Sequence, residues 1–443
     1  MTLTGLAFVV AYFAGLLRAV FGHPRWGLYV YIGTFYLHPP MRWWGESLPD
    51  LRWSLVAAVV TLLALPTAKI ERSASPWSSH TFIKALLALT VWMWVQLVWA
   101  NPNHINGVIL WTKYAILSYI IYRLVRDEET LLGFAYAHVL GCLYFGLLAL
   151  ASEGGGRLEN VGGPGVSDSN TLGMHMSTGL LFAGALILTQ TGWRRWSVMA
   201  MVPFIANCVV QTQSRGAFLG AAMGGLVYWY FAPKIHRKYF AILGVIGLCV
   251  LVAYAPPGYW ERMYTINSMA ENTEKMDRSS ESRLVLAKAQ LAMFLDHPLG
   301  LGLDTTNYLS NFYLERQWLS NRGGRSSHNT LLSVLTDQGV PGIIFGLLML
   351  FSAIVLALRL KRMIAARPQP FLNSMLAAVC ASLAVCFTAG MFADYLKAEI
   401  QLWSLSLLVA MMQIVQYKQA HAALPAATSH PAERQVRQRR STA

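Results

Sequence analysis

Apolar runs of roughly 20 residues recur along almost the whole chain, and they constrain its fold more than any other feature. A hydrocarbon layer about 30 Å thick needs ~20 helical residues to cross it. Inside such a layer no backbone polar group can turn to water, so each run must satisfy its own N–H and C=O groups as a helix. The runs fall at 2–20, 25–38, 53–68, 82–100, 106–123, 130–151, 170–190, 196–213, 215–231, 239–255, 329–358, 371–392 and 398–417. The second is short, about 13 residues between Trp26 and His38, and reads as half-inserted or re-entrant, which leaves about 12 crossings. Composition agrees: 55% of the residues are apolar and 13% charged, against about 25% charged in soluble proteins. That balance excludes a disordered chain or one that wraps nucleic acid. The expected fold is all-α, a polytopic membrane helical bundle of about 12 transmembrane helices with one long helical loop outside the membrane. The first run lacks a basic n-region and a small-residue cleavage site, so it is expected to be retained as the first helix. The five cysteines lie inside apolar runs without C-x-x-C spacing, which points to neither disulfides nor structural metal.

The net charge of +14 orients such a chain, because cytoplasmic loops are enriched in Lys and Arg. Four basic clusters stand out: Arg194 and Arg195; Lys234, Arg237 and Lys238; Arg359, Lys361, Arg362 and Arg367; and Arg434, Arg437, Arg439 and Arg440. Counting helices between them puts all four on one side, expected to be cytoplasmic. The opposite side receives the Gly-rich loop 154–170 and the long polar segment 256–327, in which eight acidic residues balance eight basic ones. The organisation expected is 1–255 as N-terminal transmembrane helices, 256–328 as a translocated loop domain, 329–417 as C-terminal transmembrane helices and 418–443 as a disordered basic cytoplasmic tail. Within the loop, 279–295 has Leu284, Ala287, Leu291 and Phe294 at helical spacing behind Ser280 as N-cap, an amphipathic helix expected to lie across the outer mouth of the bundle.

The residues that carry chemistry gather on that outer side. Arg215, in Ser214-Arg215-Gly216-Ala217, stands at the hydrocarbon boundary, where an Arg is costly unless it snorkels or meets an anion; the small residues around it let another group approach closely. Arg283 lies on the amphipathic helix upstream of His297-Pro298-Leu299-Gly300-Leu301-Gly302, and either pairs with Glu281 or Asp277 or binds a ligand. His328 and Asn329 open the run 329–358, which is expected to bend near Gly339-Val340-Pro341. A histidine there is either a helix-start residue or a general base and phosphate partner. Asp394 sits in the short turn before the last run, paired with Lys397 or facing a ligand, and Asp168 and Asn170 could cap the next helix or contact a sugar. Two Arg forks suit a diphosphate, since planar guanidinium groups bind phosphate oxygens bidentately. No DxD or HExxH motif and no cysteine cluster offers metal ligands, so neutralisation of a leaving diphosphate falls to the arginines.

Ser214-Arg215-Gly216-Ala217 after an apolar helix, the segment from Arg283 to Gly302, and His328-Asn329 followed by Gly339 and Gly342 together resemble the O-antigen ligase and polymerase superfamily. The Gly162-Gly163-Pro164-Gly165 loop leading to Asp168-Ser169-Asn170 is similar to its O-glycosylation ligase branch. The resemblance spans about residues 100 to 417. It implies a glycosyltransferase of the bacterial inner membrane, multi-pass, with its site facing the periplasm and without cofactor or metal. The donor it implies is an undecaprenyl-diphosphate-linked glycan and the acceptor the lipid A core of lipopolysaccharide, with membrane lipids around the bundle, no nucleic acid, and inversion at the anomeric carbon. By the same resemblance Arg215 and Arg283 hold the diphosphate and His328 activates the acceptor. Asn329, Asp394, Asp168 and Asn170 are the further substrate-binding candidates. An O-antigen polymerase or a protein O-glycan ligase shares this chemistry. A transporter of a lipid-linked substrate belongs to another class and would call for mid-membrane charges and an internal repeat, neither of which is visible.

Overall fold

The computed structural model describes residues 2–67, 76–152, 157–255, 258–260, 263, 278–320, 323–395 and 398–427. They are helical, with no strand among them. The pairings of Arg283 with Asp277 and of Asp394 with Lys397, and the tail beyond 427, fall outside the described residues. In chain order the α-helices are α1 Leu3–Phe21, α2 Arg25–Leu37, α3 Trp53–Ala64, α4 Thr81–Gln96, α5 His104–Leu124, α6 Glu128–Ala151, α7 Ser169–Thr189, α8 Gly192–Gln211, α9 Arg215–Phe231 and α10 Lys234–Tyr254. They continue with α11 Arg278–Asp296, α12 Thr305–Tyr313, α13 Thr330–Ala366, α14 Pro370–Ala389 and α15 Glu399–Ala427. Eight of these are long and apolar enough to cross a membrane: α1, α5, α6, α7, α10, α13, α14 and α15, while α3 and α4 are shorter apolar helices. The protein is thus a multi-pass helical membrane protein.

The core forms around α7, the most enclosed of the eight, with 83% of its apolar window buried. Its small residues make that possible. A Cβ on Gly173 would lie 2.6 Å from Thr212 Oγ1, and one on Gly179 2.5 Å from Cys142 Sγ. On α9 the glycines Gly216, Gly220 and Gly224, four residues apart, lay one face against α14, where Gly224 would bring a Cβ 2.6 Å from Val385 Cγ2. This is the close packing by small residues that membrane helices use in place of a hydrophobic driving force. By contrast α10 has none of its apolar window buried, as suits a helix facing lipid.

One end of the bundle collects basic side chains. Lys361 Nζ donates to the Tyr230 carbonyl at 3.0 Å, Arg237 Nε to Ala232 O at 3.1 Å, and Lys418 pairs with Glu128. The opposite end is built by α11, α12 and the turns before α7, α9, α13 and α15.

Three expectations need correction. Helix α11 begins at Arg278, so Ser280 lies in its first turn and does not cap it. Its packed face is Leu286, Ala289 and Met293, which meet Leu309 and Leu314, whereas Leu284 and Leu291 are each 50% exposed. The segment carries two apolar stripes, and α12 selects the one that also holds the polar Ser282 and Gln290. Finally, α15 runs on to Ala427, past the point at which the tail was expected to begin, since Ala420, Ala422 and Ala423 are the strongest helix formers.

The bend expected in the 329–358 run is present within α13, where Gly339 has φ 64°. The freed backbone is bonded by the segment following α11: Gly302 N–H donates to Asp337 O at 2.8 Å and Val340 N–H to Pro298 O at 2.9 Å. Gly300 and Gly302, at φ 70° and 85°, let this segment lie against the break. A Cβ on Gly300 would collide with Asp337 O and one on Gly302 with His104. The glycine pair therefore serves packing at the kink.

Candidate active site

Helix α9 starts where Gln213 takes a left-handed conformation, φ 46°, and Ser214 Oγ accepts from Ala217 N–H at 3.2 Å as N-cap. Arg215 is thereby the first helical residue, at a helix N-terminus, whose dipole attracts anions. Ser214 Oγ also donates to Asn170 Oδ1 at 2.9 Å, and the same oxygen accepts from an Arg157 guanidinium N–H at 2.6 Å. Arg157 Nε donates to Thr212 O at 3.1 Å. Asn170 thus fixes Arg157 beside the start of α9.

The facing wall is α11 and the loop before α13. Gln290 Nε2 donates to Thr306 Oγ1 at 3.0 Å and to Ser327 Oγ at 2.9 Å, and Thr306 Oγ1 lies 3.1 Å from Thr336 Oγ1. This buried chain of bonds locks α11, α12, α13 and the loop into one unit, a high-stakes network because each partner is removed from water. Arg325 donates to Trp318 O at 2.6 Å and to Ser282 Oγ at 2.9 Å. Its buried Nε–H has no partner among the described residues. Two turns before Gln290 on the same helix stands Arg283, and three residues after Arg325 comes His328.

The two walls enclose a cavity of about 200 Å³ lined by Arg157, Arg215, Arg283 and Arg325, with Asn170, Gln213, Ser282 and His328. No carboxylate is among its described lining residues; Glu159, outside the lining, reaches Arg157 at 3.8 Å. Four guanidinium groups around so small a volume make it a favourable place for an anion. Burial, and then the Arg283 and Arg325 charges, push the His328 imidazole down to about 4, with Asp168 opposing. At neutral pH the ring is uncharged and can accept a proton. Tyr395, in the turn before α15, is buried and its hydroxyl has no partner among the described residues. Burial first, and Asp168 next, hold this phenol well above its ordinary range against the fields of Arg157 and Arg283, so it stays a hydrogen-bond donor.

Of the residues singled out from sequence, Arg215, Arg283, His328 and Asn170 line this one cavity. Asp168 caps α7, its Oδ1 accepting from the Asn170 and Thr171 N–H groups at 3.0 Å each. Asn329 caps α13, with Oδ1 accepting from Leu331 N–H at 2.9 Å and Leu332 N–H at 3.1 Å. Asp394 lies in the turn between α14 and α15 at the same end, from which Phe392 is the lining residue. Sequence reasoning did not single out Arg157, Arg325, Gln213, Ser282 or Tyr395. The signal for the first two was available: each arginine directly follows a glycine run, Gly154 to Gly156 and Gly323-Gly324, on the side already holding Arg215.

A second polar cluster lies inside the bundle. His138 and Cys142 on α6 and His175 on α7 bring potential ligand atoms within 4.8 Å of one another, a grouping hidden from spacing rules because separate helices supply it. The Tyr36 hydroxyl sits among them, 2.7 Å from His175 Nε2 and bonded to His138 Nδ1, and His138 Nε2 meets Thr178 Oγ1 at 3.1 Å. These hydrogen bonds engage both nitrogens of His138 and Nε2 of His175, while His175 Nδ1 is buried without a partner among the described residues.

Residues 199–347 match the family model described as O-antigen ligase. The matched stretch runs from α8 into α13 and contains Arg215, Arg283, Arg325 and His328, while Arg157, Asn170 and Tyr395 fall outside it. No curated protein matches the chain.

Proposed function

From the match of residues 199–347 to the O-antigen ligase family model, we propose that the chain transfers O-antigen glycan from undecaprenyl diphosphate to the lipid A core of lipopolysaccharide. In this reading the end holding the four-arginine cavity faces the periplasm, the basic end faces the cytoplasm, and the shorter helices bring the crossings to about 12. The observation that carries the proposal is the single cavity shared by Arg157, Arg215, Arg283, Arg325 and His328. The diphosphate of the donor sits among the guanidinium groups at the start of α9. The acceptor hydroxyl oxygen attacks the anomeric carbon as the bond to the diphosphate oxygen breaks. The bonding pair leaves with the diphosphate, and the hydroxyl proton passes to the neutral imidazole of His328. Charge building on the leaving group is stabilised by donors already in place, and such fixed donors lower a barrier more than any other single device an active site has. The arginines carry the neutralisation that a divalent ion would otherwise supply, and the displacement inverts the anomeric centre.

The test is transfer in vitro from purified undecaprenyl-diphosphate-linked glycan, with EDTA present, to purified lipid A core, to a second lipid-linked glycan, or to a pilin-like protein. Product on lipid A core, with little change on adding EDTA, supports the proposal. Product only on the second donor makes the protein a polymerase, and product only on protein makes it a protein O-glycan ligase. Wild-type transfer by Arg215→Ala would remove the proposed centre altogether.

A further inference from the structure

Beside the arginine cavity lies a second and larger one of about 930 Å³, and the two share Arg325 and His328 on their linings. The smaller lies below the 300–1,000 Å³ typical of small-molecule sites and the larger near the top of that range. Their chemistry differs as well. Apart from the shared Arg325, the described lining of the large cavity is neutral, chiefly Asn103, Asn307, Tyr308 and Asn311. Side-chain amides both donate and accept, and an exposed aromatic ring offers an apolar face with a polar edge. That combination matches the alternating hydroxyl and C–H surfaces of sugar rings.

The fold builds this lining deliberately. Helix α12 is amphipathic: Thr305, Thr306, Leu309 and Ser310 are buried, while Asn307 and Asn311, one turn apart, face the cavity with Tyr308, which is 46% exposed. Asp304 at its start is left-handed, φ 69°, and makes no side-chain cap bond. The capping is done from α13, where Asp337 Oδ1 accepts from Thr305 N–H at 3.0 Å and Oδ2 from Asp304 N–H at 3.2 Å. Gly324 faces Asn307 so closely that a Cβ there would collide with the amide oxygen. The asparagine is thus seated by a glycine on one side and held by its bond to Asp304 Oδ2, at 3.2 Å, on the other.

We propose that the large cavity is the subsite for the acceptor saccharide, holding the sugar rings that carry the attacking hydroxyl; this rests on the function proposed above. The placement of His328 decides between acceptor and donor glycan. In an in-line displacement the nucleophile enters opposite the leaving group. With the diphosphate in the arginine cavity, a hydroxyl whose proton passes to His328 arrives from the other cavity that this residue lines.

The experiment uses the full-length protein in detergent or nanodiscs. Steady-state transfer is measured while the lipid A core and the lipid-linked glycan are varied in turn, for wild type, Asn307→Ala/Asn311→Ala, Tyr308→Ala and Tyr308→Phe. Saturation-transfer NMR with the delipidated core oligosaccharide provides a readout that needs no turnover. The expected result is a rise of tenfold or more in acceptor KM for the double variant and for Tyr308→Ala. Tyr308→Phe, which keeps the ring and loses its polar edge, should raise acceptor KM less than Tyr308→Ala, donor KM should be unchanged, and the two damaging variants should lose saturation transfer. A rise in donor KM with acceptor KM unchanged assigns the cavity to the donor glycan and overturns the proposal, as does no change in either. Binding of undecaprenyl diphosphate separates the two readings. If wild type fails to bind it, the function proposed above fails; if wild type binds it but saturation transfer is unaltered by the substitutions, only the acceptor subsite fails. Because Tyr308 is exposed, its variants keep the test open should the double variant not fold.

Discussion

Arg325 donates to Ser282 Oγ at 2.9 Å, and that bond, beside the one from Gln290 to Ser327, holds α11, with Arg283 at the next position, against the loop that presents His328. Arg325 therefore has two duties, as a charge in the anion cavity and as the tie that sets the distance between Arg283 and the imidazole. Removing a preorganised donor to developing negative charge typically costs on the order of 10²–10³ in turnover. Arg325→Ala is expected to fall in that range in kcat for glycan transfer. Ser282→Ala keeps the charge and loses only the tie, so it should cost about tenfold or less. Equal losses for the two variants would mean that the tie, and not the charge, is what matters.

The pH behaviour of His328 follows from its depressed pKa of about 4. Between pH 4 and about 6.5, the ordinary value for histidine, the unfolded chain binds a proton at this residue that the folded protein does not. Stability linked to His328 is thus lost as pH falls through that window. The acid limb of kcat/KM, which reports the free enzyme, is expected near 4. Melting temperatures of wild type and His328→Gln should converge above pH 7 and separate below it, with wild type falling faster. A limb at 6.5 in wild type would show that neither burial nor the arginine field lowers the imidazole.

Bound diphosphate should reverse this shift, since negative charge beside an imidazole favours its charged form. The His328 pKa, followed by ¹⁵N NMR of labelled histidine, is expected to rise when inorganic pyrophosphate is added and to rise less in Arg283→Ala. An unmoved resonance at saturating pyrophosphate would place the anion elsewhere.

Much of this was legible in the sequence. Apolar runs gave the helices, the basic clusters one end of the bundle, and Ser214-Arg215, Arg283 and His328 most of the cavity. What stayed hidden was set by tertiary contact. Leu284 and Leu291 have the same helical spacing as Leu286 and Met293, and only α12 determines which stripe is buried. Asp337 reads as an interruption in an apolar run, yet it caps a helix that begins 32 residues earlier in the chain. Arg157 and Arg325 look like ordinary loop charges until Asn170 and Ser282 aim them, and Tyr36, His138 and His175 become one cluster only through helix packing.

Asp337 gives a stability prediction. It is 3% exposed, and its carboxylate supplies the cap that Asp304 does not. Loss of an N-cap costs about 0.5–2 kcal/mol, and leaving the Thr305 N–H without an acceptor adds to it. Asp337→Ala is expected to lower the melting temperature in detergent and, because α12 carries Asn307 and Tyr308, to raise the acceptor KM as well. Asp337→Asn retains an acceptor and should do less on both counts. A variant that melts normally would show that α12 holds its start without help from α13.

The kink in α13 is the sharpest backbone constraint at this end of the molecule. Gly339 sits at φ 64°, and a Cβ there would meet Pro298 O and the Leu299 carbonyl carbon. Both objections act together: φ 64° with ψ −156° is a conformation essentially only glycine adopts, costing another residue on the order of 1–3 kcal/mol, and the collision forces the 298–302 segment off the break it satisfies. That segment is held by Gln96 Nε2 to Leu299 O at 2.9 Å, Trp99 Nε1 to Gly300 O at 3.0 Å and Asn101 Nδ2 to Leu301 O at 2.8 Å, so it has little freedom to retreat. Gly339→Ala is expected to reduce the yield of monodisperse protein severalfold on size-exclusion chromatography, more than Gly346→Ala, where a Cβ meets nothing within 4 Å. Equal yields for the two would mean that the helix straightens without cost and that the segment from Pro298 to Gly302 does not depend on the break.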